Sequence, residues 1–137
     1  MADPISIRLP QATLDGLKAI AERERLPVRT LVQRMVEEGL RAVEHPFINF
    51  VDGPAGRRAR MIPVGIDVWQ LIEMVQAEGG DGAAVAEWME FPTWAVDAAL
   101  AYYRAYPEEI DRMIFENRRA LDEGHREWVA AQADDSA

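Results

Sequence analysis

An alternating segment at the N-terminus, followed directly by two helical patterns, constrains the fold of this chain most. Ile5, Ile7 and Leu9 are apolar, Ser6 and Arg8 between them are polar, and Pro10 ends the pattern. A period of two predicts a strand with one apolar and one polar face. The rest of the segment is helical in pattern, so the strand has no partner within it.

Two helices are predicted after this strand. Apolar residues recur at helical spacing from Gln11 to about Arg25, and a longer apolar stripe runs from Leu31 to Val43. Pro27 falls in the first turn of the second helix, where a missing N–H costs little, and His45-Pro46 ends that helix. We therefore expect residues 1–45 to form a strand-helix-helix module.

A module of about 40 residues buries too little surface to fold alone. The simplest partner for its strand is the same strand of a second copy. Pairing the two gives a two-stranded antiparallel ribbon over four helices, so the sequence predicts a homodimer that could associate further.

This pattern resembles the ribbon-helix-helix family of DNA-binding proteins over residues 4–44. The residues that carry the resemblance are the strand end Arg8-Leu9-Pro10, the first-helix positions Leu14 and Leu17, the break before Val28-Arg29-Thr30, and the terminal Glu38-Gly39-Leu40.

The resemblance implies that outward strand positions read bases in the major groove, and here these are Ser6 and Arg8, because Pro4 has no polar side chain. Arginine can donate two hydrogen bonds to guanine. It also implies that the amides of Val28 and Arg29, at the start of the second helix, hold a DNA phosphate. The Arg29 side chain and the Thr30 hydroxyl would add contacts.

The second half, residues 46–115, is predicted to be a small helical domain that opens with a hairpin. Turn residues 52–56 separate the strand-like runs Phe47–Val51 and Arg57–Val64. Three or four helices are then expected, and they are listed with their approximate ends: Asp67–Glu78, Gly82–Glu90, Pro92–Tyr106 and Pro107–Ala131. The overall expectation is a mainly α protein.

Part of this half, roughly residues 46–111, is similar to the family catalogued as domain of unknown function 433. The matching runs are Met61-Ile62-Pro63-Val64, Val68-Trp69, Glu90-Phe91-Pro92-Thr93 and residues 96–103, while the family's usual Gly-Thr-Arg is here Ala59-Arg60-Met61. The resemblance implies a small trihelical, helix-turn-helix-like domain. It also implies an antitoxin of a PIN-domain ribonuclease.

The C-terminal residues 116–137 are predicted to be an amphipathic arm whose last residues, Ala130–Ala137, fray. One interpretation is a loosely held arm. The other is a partner-binding arm, with Leu121 and Trp128 as apolar anchors and with Arg118, Arg119 and Arg126 reaching an acidic nuclease site.

Two further surfaces stand out. Arg57, Arg58 and Arg60 form a basic cluster on the hairpin, which could contact phosphate, contact the acidic half or lie in solvent. The face of the Pro92–Tyr106 helix, which includes Trp94 and Tyr102, is expected to suit protein contact rather than DNA.

Charge and composition exclude several classes of protein. The net charge of −9 is concentrated in residues 81–137, which hold five basic and thirteen acidic groups, whereas residues 1–46 hold seven of each. There is no cysteine and no long uncharged run, so we expect a cytoplasmic protein without disulfides or a membrane span. No secretory signal, metal site, cofactor site or catalytic constellation is expected.

The leading functional expectation is an antitoxin of a type II toxin-antitoxin pair. It would neutralise a PIN-domain ribonuclease by protein contact and repress its own operon by binding operator DNA. The alternative is a stand-alone ribbon-helix-helix transcription regulator whose second domain senses a ligand or makes tetramers.

Overall fold

The structure is a computed structural model that describes residues 3–54 and 56–136. It divides into two units, Met1–Glu44 and His45–Ala137. Ala55 of the predicted hairpin turn and Ala137 of the predicted tail lie outside the described residues, as do Met1 and Ala2.

The N-terminal unit contains two helices, α1 (Gln11–Glu24) and α2 (Val28–Glu44). Arg25 adopts the left-handed conformation (φ 57°) that ends α1, and the Leu26 amide bonds to Ala21 O at 2.9 Å. Across the helix pair, Arg34 Nη2 lies 2.7 Å from Glu24 Oε2. The two predicted helices are confirmed to within a residue at their ends.

Residues 3–10 belong to no helix or sheet in the single chain. A strand is defined by hydrogen bonds to a neighbouring strand, and the strand expected at Ile5–Leu9 needs a second copy to supply them. The intermolecular ribbon therefore stays a prediction.

The C-terminal unit opens with a three-stranded antiparallel sheet, β1 (Ile48–Gly53), β2 (Gly56–Met61) and β3 (Ile66–Asp67), in the order β1-β2-β3. The expected second strand was too long, because Gly65 (φ 66°) donates its amide to Met61 O at 2.8 Å and turns the chain. β3 was not predicted, since two residues are too few to show a period.

Four helices complete this unit: α3 (Val68–Ala77), α4 (Gly82–Met89), α5 (Thr93–Ala105) and α6 (Pro107–Asp135). Gly79 and Gly80 both have positive φ in the turn after α3. Asp81 then caps α4 by accepting a hydrogen bond from the Ala84 amide at 3.0 Å. The mainly α prediction is confirmed, with a small sheet added.

The core of this unit lies between the sheet and the four helices. Leu71, Val85, Val96, Tyr102 and Ile110 are all essentially inaccessible. The expectation that Tyr102 lies on an exposed contact face is wrong, because its ring packs at 5.2 Å from His45 and 4.9 Å from Tyr106. Among the residues expected on that face, Trp94 does remain partly exposed.

The expected fraying of the C-terminal tail is also wrong over the described residues. Helix α6 continues to Asp135, 29 residues in all. Ala130, Ala131 and Ala133 fall in its last turns, and alanine has the highest helix propensity of all residues. A lack of bulky apolar residues does not by itself oppose a helix.

Candidate nucleic-acid and partner interfaces

The two residues predicted to read bases, Ser6 and Arg8, are both exposed in the segment before α1. Ile5 and Ile7, which alternate with them, are also exposed, by 86 % and 64 %. Leu9 is half-buried. An apolar row this accessible is unusual in a folded unit, and it leaves the inner face of the expected ribbon unburied.

The predicted phosphate seat lies at the start of α2. The first hydrogen bond of that helix runs from the Leu31 amide to Pro27 O at 3.1 Å, so the amides of residues 28–30 precede the helical ladder. Arg29 and Thr30 are exposed, and Val28 is half-buried. The residues predicted to hold phosphate are therefore adjacent on one helical turn, with the positive end of the helix dipole behind them.

An apolar face of α2 is open to solvent. Val36, Leu40 and Val43, spaced by four and three residues, are exposed by 62 %, 59 % and 78 %. Of the described residues in this unit, only Ala21 and Leu31 are fully buried. Two helices alone give this unit almost no interior, as its length predicted.

The basic cluster of the hairpin is paired within its own unit. Arg57 Nη1 lies 3.3 Å from Asp52 Oδ1, and Arg58 Nε lies 2.6 Å from Asp67 Oδ2. Arg60 contacts the same Asp67 carboxylate at 3.6 Å. These three arginines contact carboxylates of the hairpin and of the residue before α3. The pairing of these arginines is therefore explained without any contact to the acidic residues 81–137.

Asp67 is the residue that sequence reasoning missed. It is the one buried charged residue among those the structure describes, 6 % exposed, and it joins β3 to α3. With Gln70 it forms a capping box, in which the Asp67 amide donates to Gln70 Oε1 at 3.2 Å. The Trp69 indole N–H donates to Asp67 Oδ2, also at 3.2 Å. The Asp-x-x-Gln spacing before an apolar run was the sequence signal available.

A cavity of about 170 Å³ lies beside this ion-pair group. Its walls come from the hairpin, from Trp69 at the start of α3, and from α6, where Met113, Asn117 and Ala120 contribute. The lining combines an indole and a thioether with the polar side chains of Arg58 and Glu116. The cavity is large enough for one amino-acid side chain or a small metabolite fragment.

Two tyrosines attach α5 to the first turns of α6. The buried Tyr102 donates its hydroxyl hydrogen to Glu109 Oε2 at 2.7 Å, and Tyr103 donates to Asp111 Oδ1 at 2.5 Å. The hydrogen bond to Asp111, with smaller contributions from burial and from the negative charge of Asp111, raises the pKa of Tyr103 above its ordinary value. Glu109 and Asp111 therefore have structural partners.

The predicted partner-binding residues lie on the exposed distal half of α6, defined here as residues 118–135. Leu121 and Trp128 are exposed by 64 % and 61 %. Arg119 pairs with Glu123 at 3.5 Å, and Arg118 lies 4.0 Å from Glu73 of α3. Every described residue from 118 onward is exposed.

No protein-family model matches the chain, and no curated protein and no solved structure is significantly similar to it. Over residues 3–54 and 56–136, none of the helices combines the length and apolar character needed to cross a membrane.

Proposed function

We propose that this protein is a dimeric, DNA-binding antitoxin that acts in the cytoplasm. Two copies would pair through their N-terminal segments to bind operator DNA and repress their own operon. The C-terminal unit would bind and block a PIN-domain ribonuclease. The observation that carries the proposal is the apolar surface of the N-terminal unit, which a second copy can cover.

One copy of the chain leaves two apolar surfaces exposed, which a dimer would cover. Ile5 and Ile7 on the N-terminal segment and Val36, Leu40 and Val43 on α2 are accessible together. Burying a side chain of this size stabilises a protein by about 1.5–3 kcal/mol. A second copy could cover both surfaces, since two N-terminal segments paired as a ribbon would turn Ile5, Ile7 and Leu9 toward the helices. The opposite face of the ribbon would then carry Ser6 and Arg8.

The residues of that opposite face favour contact with DNA. A two-stranded ribbon fits the major groove, where Arg8 can bond to guanine O6 and N7 and Ser6 can donate or accept. The start of α2, with Val28, Arg29 and Thr30, supplies amides and a positive dipole end for a phosphate. Residues 1–46 have no net charge, whereas residues 81–137 carry −8. Electrostatic repulsion of a polyanion such as DNA is therefore weaker at the N-terminal unit than at residues 81–137.

The resemblance of residues 46–111 to the domain of unknown function 433 family supports a ribonuclease partner. The distal half of α6 offers a surface for that contact. Leu121 and Trp128 would act as apolar anchors, with Arg118, Arg119 and Arg126 beside them. Toxin binding by this helix would follow the helix-in-groove mode of recognition.

The DNA proposal is tested by operator binding at fixed salt, with the DNA upstream of the protein's own gene. Arg8→Ala should lose about 1–3 kcal/mol per base contact, which is roughly 5- to 150-fold in affinity. Arg23→Ala is the matched control, because Arg23 is an exposed arginine of the same unit in the last turn of α1. Equal operator affinity for the two variants would refute base reading by Arg8.

The toxin proposal is tested by capture from the native host, with identification of whatever stays bound in a moderate-salt wash. A small protein with a PIN-type acidic cluster should be recovered in stoichiometric amount. Its RNA cleavage should be inhibited by the wild-type chain and less so by Trp128→Ala. Recovery of the chain alone, or only with promoter DNA, contradicts the antitoxin function.

The cavity beside Trp69 favours a second candidate, a transcription regulator whose C-terminal unit senses a ligand. Its lining of one indole, one thioether and a few polar groups is typical of small-molecule sites. A regulator of this kind should show a saturable rise in melting temperature with one member of a metabolite panel. Asn117→Leu should abolish that rise, because it fills the cavity and removes a polar group.

A further inference from the structure

Beyond Ala120, which lines the cavity, the distal half of α6 extends past the body of its unit with every described residue exposed. Ile110 and Ile114 are its last fully buried residues, although the helix continues to Asp135. The remaining length is about 30 Å at 1.5 Å per residue. In proteins, most of the stability of a helix comes from packing of an amphipathic face rather than from helix propensity.

The face of α6 that packs in the core continues along this exposed half. Residues three or four positions apart lie on the same face of a helix. Counting from Ile110 in this way gives six positions on one face, which we call the α6 stripe. These positions are Ile114, Asn117, Leu121, Gly124, Trp128 and Ala131. None of the six is charged, whereas the other twelve positions of residues 114–131 carry seven charged side chains. This segregation is typical of a helix that buries one face.

The charges in the central part of this exposed half balance each other, which is compatible with contact to a second copy of the same helix. Residues 118–127 hold three arginines and three carboxylates. A second copy of this stretch is therefore not repelled, although the chain as a whole carries −9.

The stripe is also complementary to itself. Gly124 lies between the two large residues Leu121 and Trp128, and a Cβ built at Gly124 meets nothing within 4 Å. Glycine in an exposed helix interior costs about 1 kcal/mol relative to alanine, and it is useful where another backbone approaches closely. In an antiparallel pair that crosses at Gly124, each Trp128 faces the Leu121 of the other copy. The two bulky residues then flank a close contact between the two glycines.

We propose that the distal halves of α6 from two copies of this chain pair with each other in antiparallel orientation. The antiparallel arrangement keeps the bodies of the two C-terminal units at opposite ends of the pair, whereas a parallel one brings them together at the same end. It also opposes the two helix dipoles. The pairing uses α6 alone, so it depends neither on operator DNA nor on a toxin. A toxin bound to Leu121 and Trp128 would compete with it.

The absence of cysteine from the chain allows a direct test by disulfide formation. Gly124→Cys should form a disulfide-linked dimer under mild oxidation at least about tenfold faster than Arg119→Cys, because bridged Cα atoms must come within about 7 Å. Arg119 is the matched control, since it is exposed and lies half a turn away from the stripe. Equal rates for the two variants overturn the proposal.

The direction of the pair is tested with two single-cysteine variants carrying tags of different mass. Leu121→Cys and Trp128→Cys should each link poorly to themselves and well to each other when mixed. Linkage of each variant to itself, without mixed products, indicates parallel packing and overturns the antiparallel assignment. Circular dichroism of each variant establishes that the helix is retained.

A last comparison separates this pairing from N-terminal dimerisation. Gly124→Cys is combined with Val36→Asp, which places a charge on the apolar face of α2. Cross-linking through residue 124 should persist in the double variant. If cross-linking disappears with the N-terminal dimer, the α6 helices are only held near each other by that dimer, and self-pairing is refuted.

Discussion

Replacing the buried Asp67 should destabilise the C-terminal unit more than replacing any other carboxylate of its sheet region. The Asp67 side chain is 8 % exposed and contacts Arg58 at 2.6 Å and Arg60 at 3.6 Å. It also accepts the Trp69 indole N–H. Asp67→Ala removes these contacts together and deletes the capping residue of α3.

The expected loss follows from three contributions. An N-cap replaced by alanine costs about 1 kcal/mol. Removing the acceptor of a part-buried indole N–H costs about 0.5–1.5 kcal/mol. Removing one partner of a fully buried ion pair costs about 3–5 kcal/mol. The Arg58 side chain is 27 % exposed and can regain water, so we expect the loss of this ion pair to cost about 1 kcal/mol. The sum is about 2–4 kcal/mol, which corresponds to a melting temperature lower by on the order of 10–20 °C for a unit of this size.

The assay is urea unfolding followed by circular dichroism, with Asp52→Ala as the matched control. Asp52 pairs with Arg57 at 3.3 Å on the same hairpin, but its side chain is 67 % exposed. An exposed pair contributes at most about 1 kcal/mol, so Asp52→Ala should change the midpoint little. Asp67→Asn should fall between the two, because asparagine still caps a helix but carries no charge. If Asp67→Ala is no more destabilising than Asp52→Ala, the structural role assigned to this carboxylate is refuted.

The remaining predictions concern three other regions. Val36→Asp puts a charge on the apolar face of α2, so in sedimentation analysis it should lower the mass of the assembly to no more than that of the dimer paired through α6. An unchanged mass would contradict the proposed N-terminal dimer surface. The pKa of Tyr103 is raised by its hydrogen bond to Asp111, so the stability from that bond is complete below about pH 10 and is lost as the pH rises through the raised pKa. Asp111→Asn should make tyrosinate absorbance appear at lower pH, and identical titration curves would argue against the bond. Gly82→Ala should lower the free energy of unfolding in urea by about 1 kcal/mol or less, since the added methyl group would lie 3.1 Å from Val96 Cγ1. A gain in stability would show that the site accepts the methyl group.

The sequence by itself determined most of the helices. Apolar residues at helical spacing, with prolines and glycines between them, fix α1 to α5 because these signals act within a few residues along the chain. The expectation of a second copy also comes from the sequence, since a unit of 44 residues with a single predicted strand offers that strand no partner, and it stays a prediction. The exposure of Ile5 and Ile7 agrees with that reasoning.

The tertiary structure alone decided where the charges and the aromatic rings go. Arg57, Arg58 and Arg60 looked like a free basic cluster, but two of them converge on Asp67 because β2 and β3 are adjacent in the sheet. Tyr102 looked like a surface residue until the fold placed it in the core. Pairings of this kind join residues through a sheet register or a helix contact, and a linear pattern does not contain that information. The same reason explains α6, whose stripe is visible in the sequence, while only the structure establishes that every described residue of the distal half is exposed.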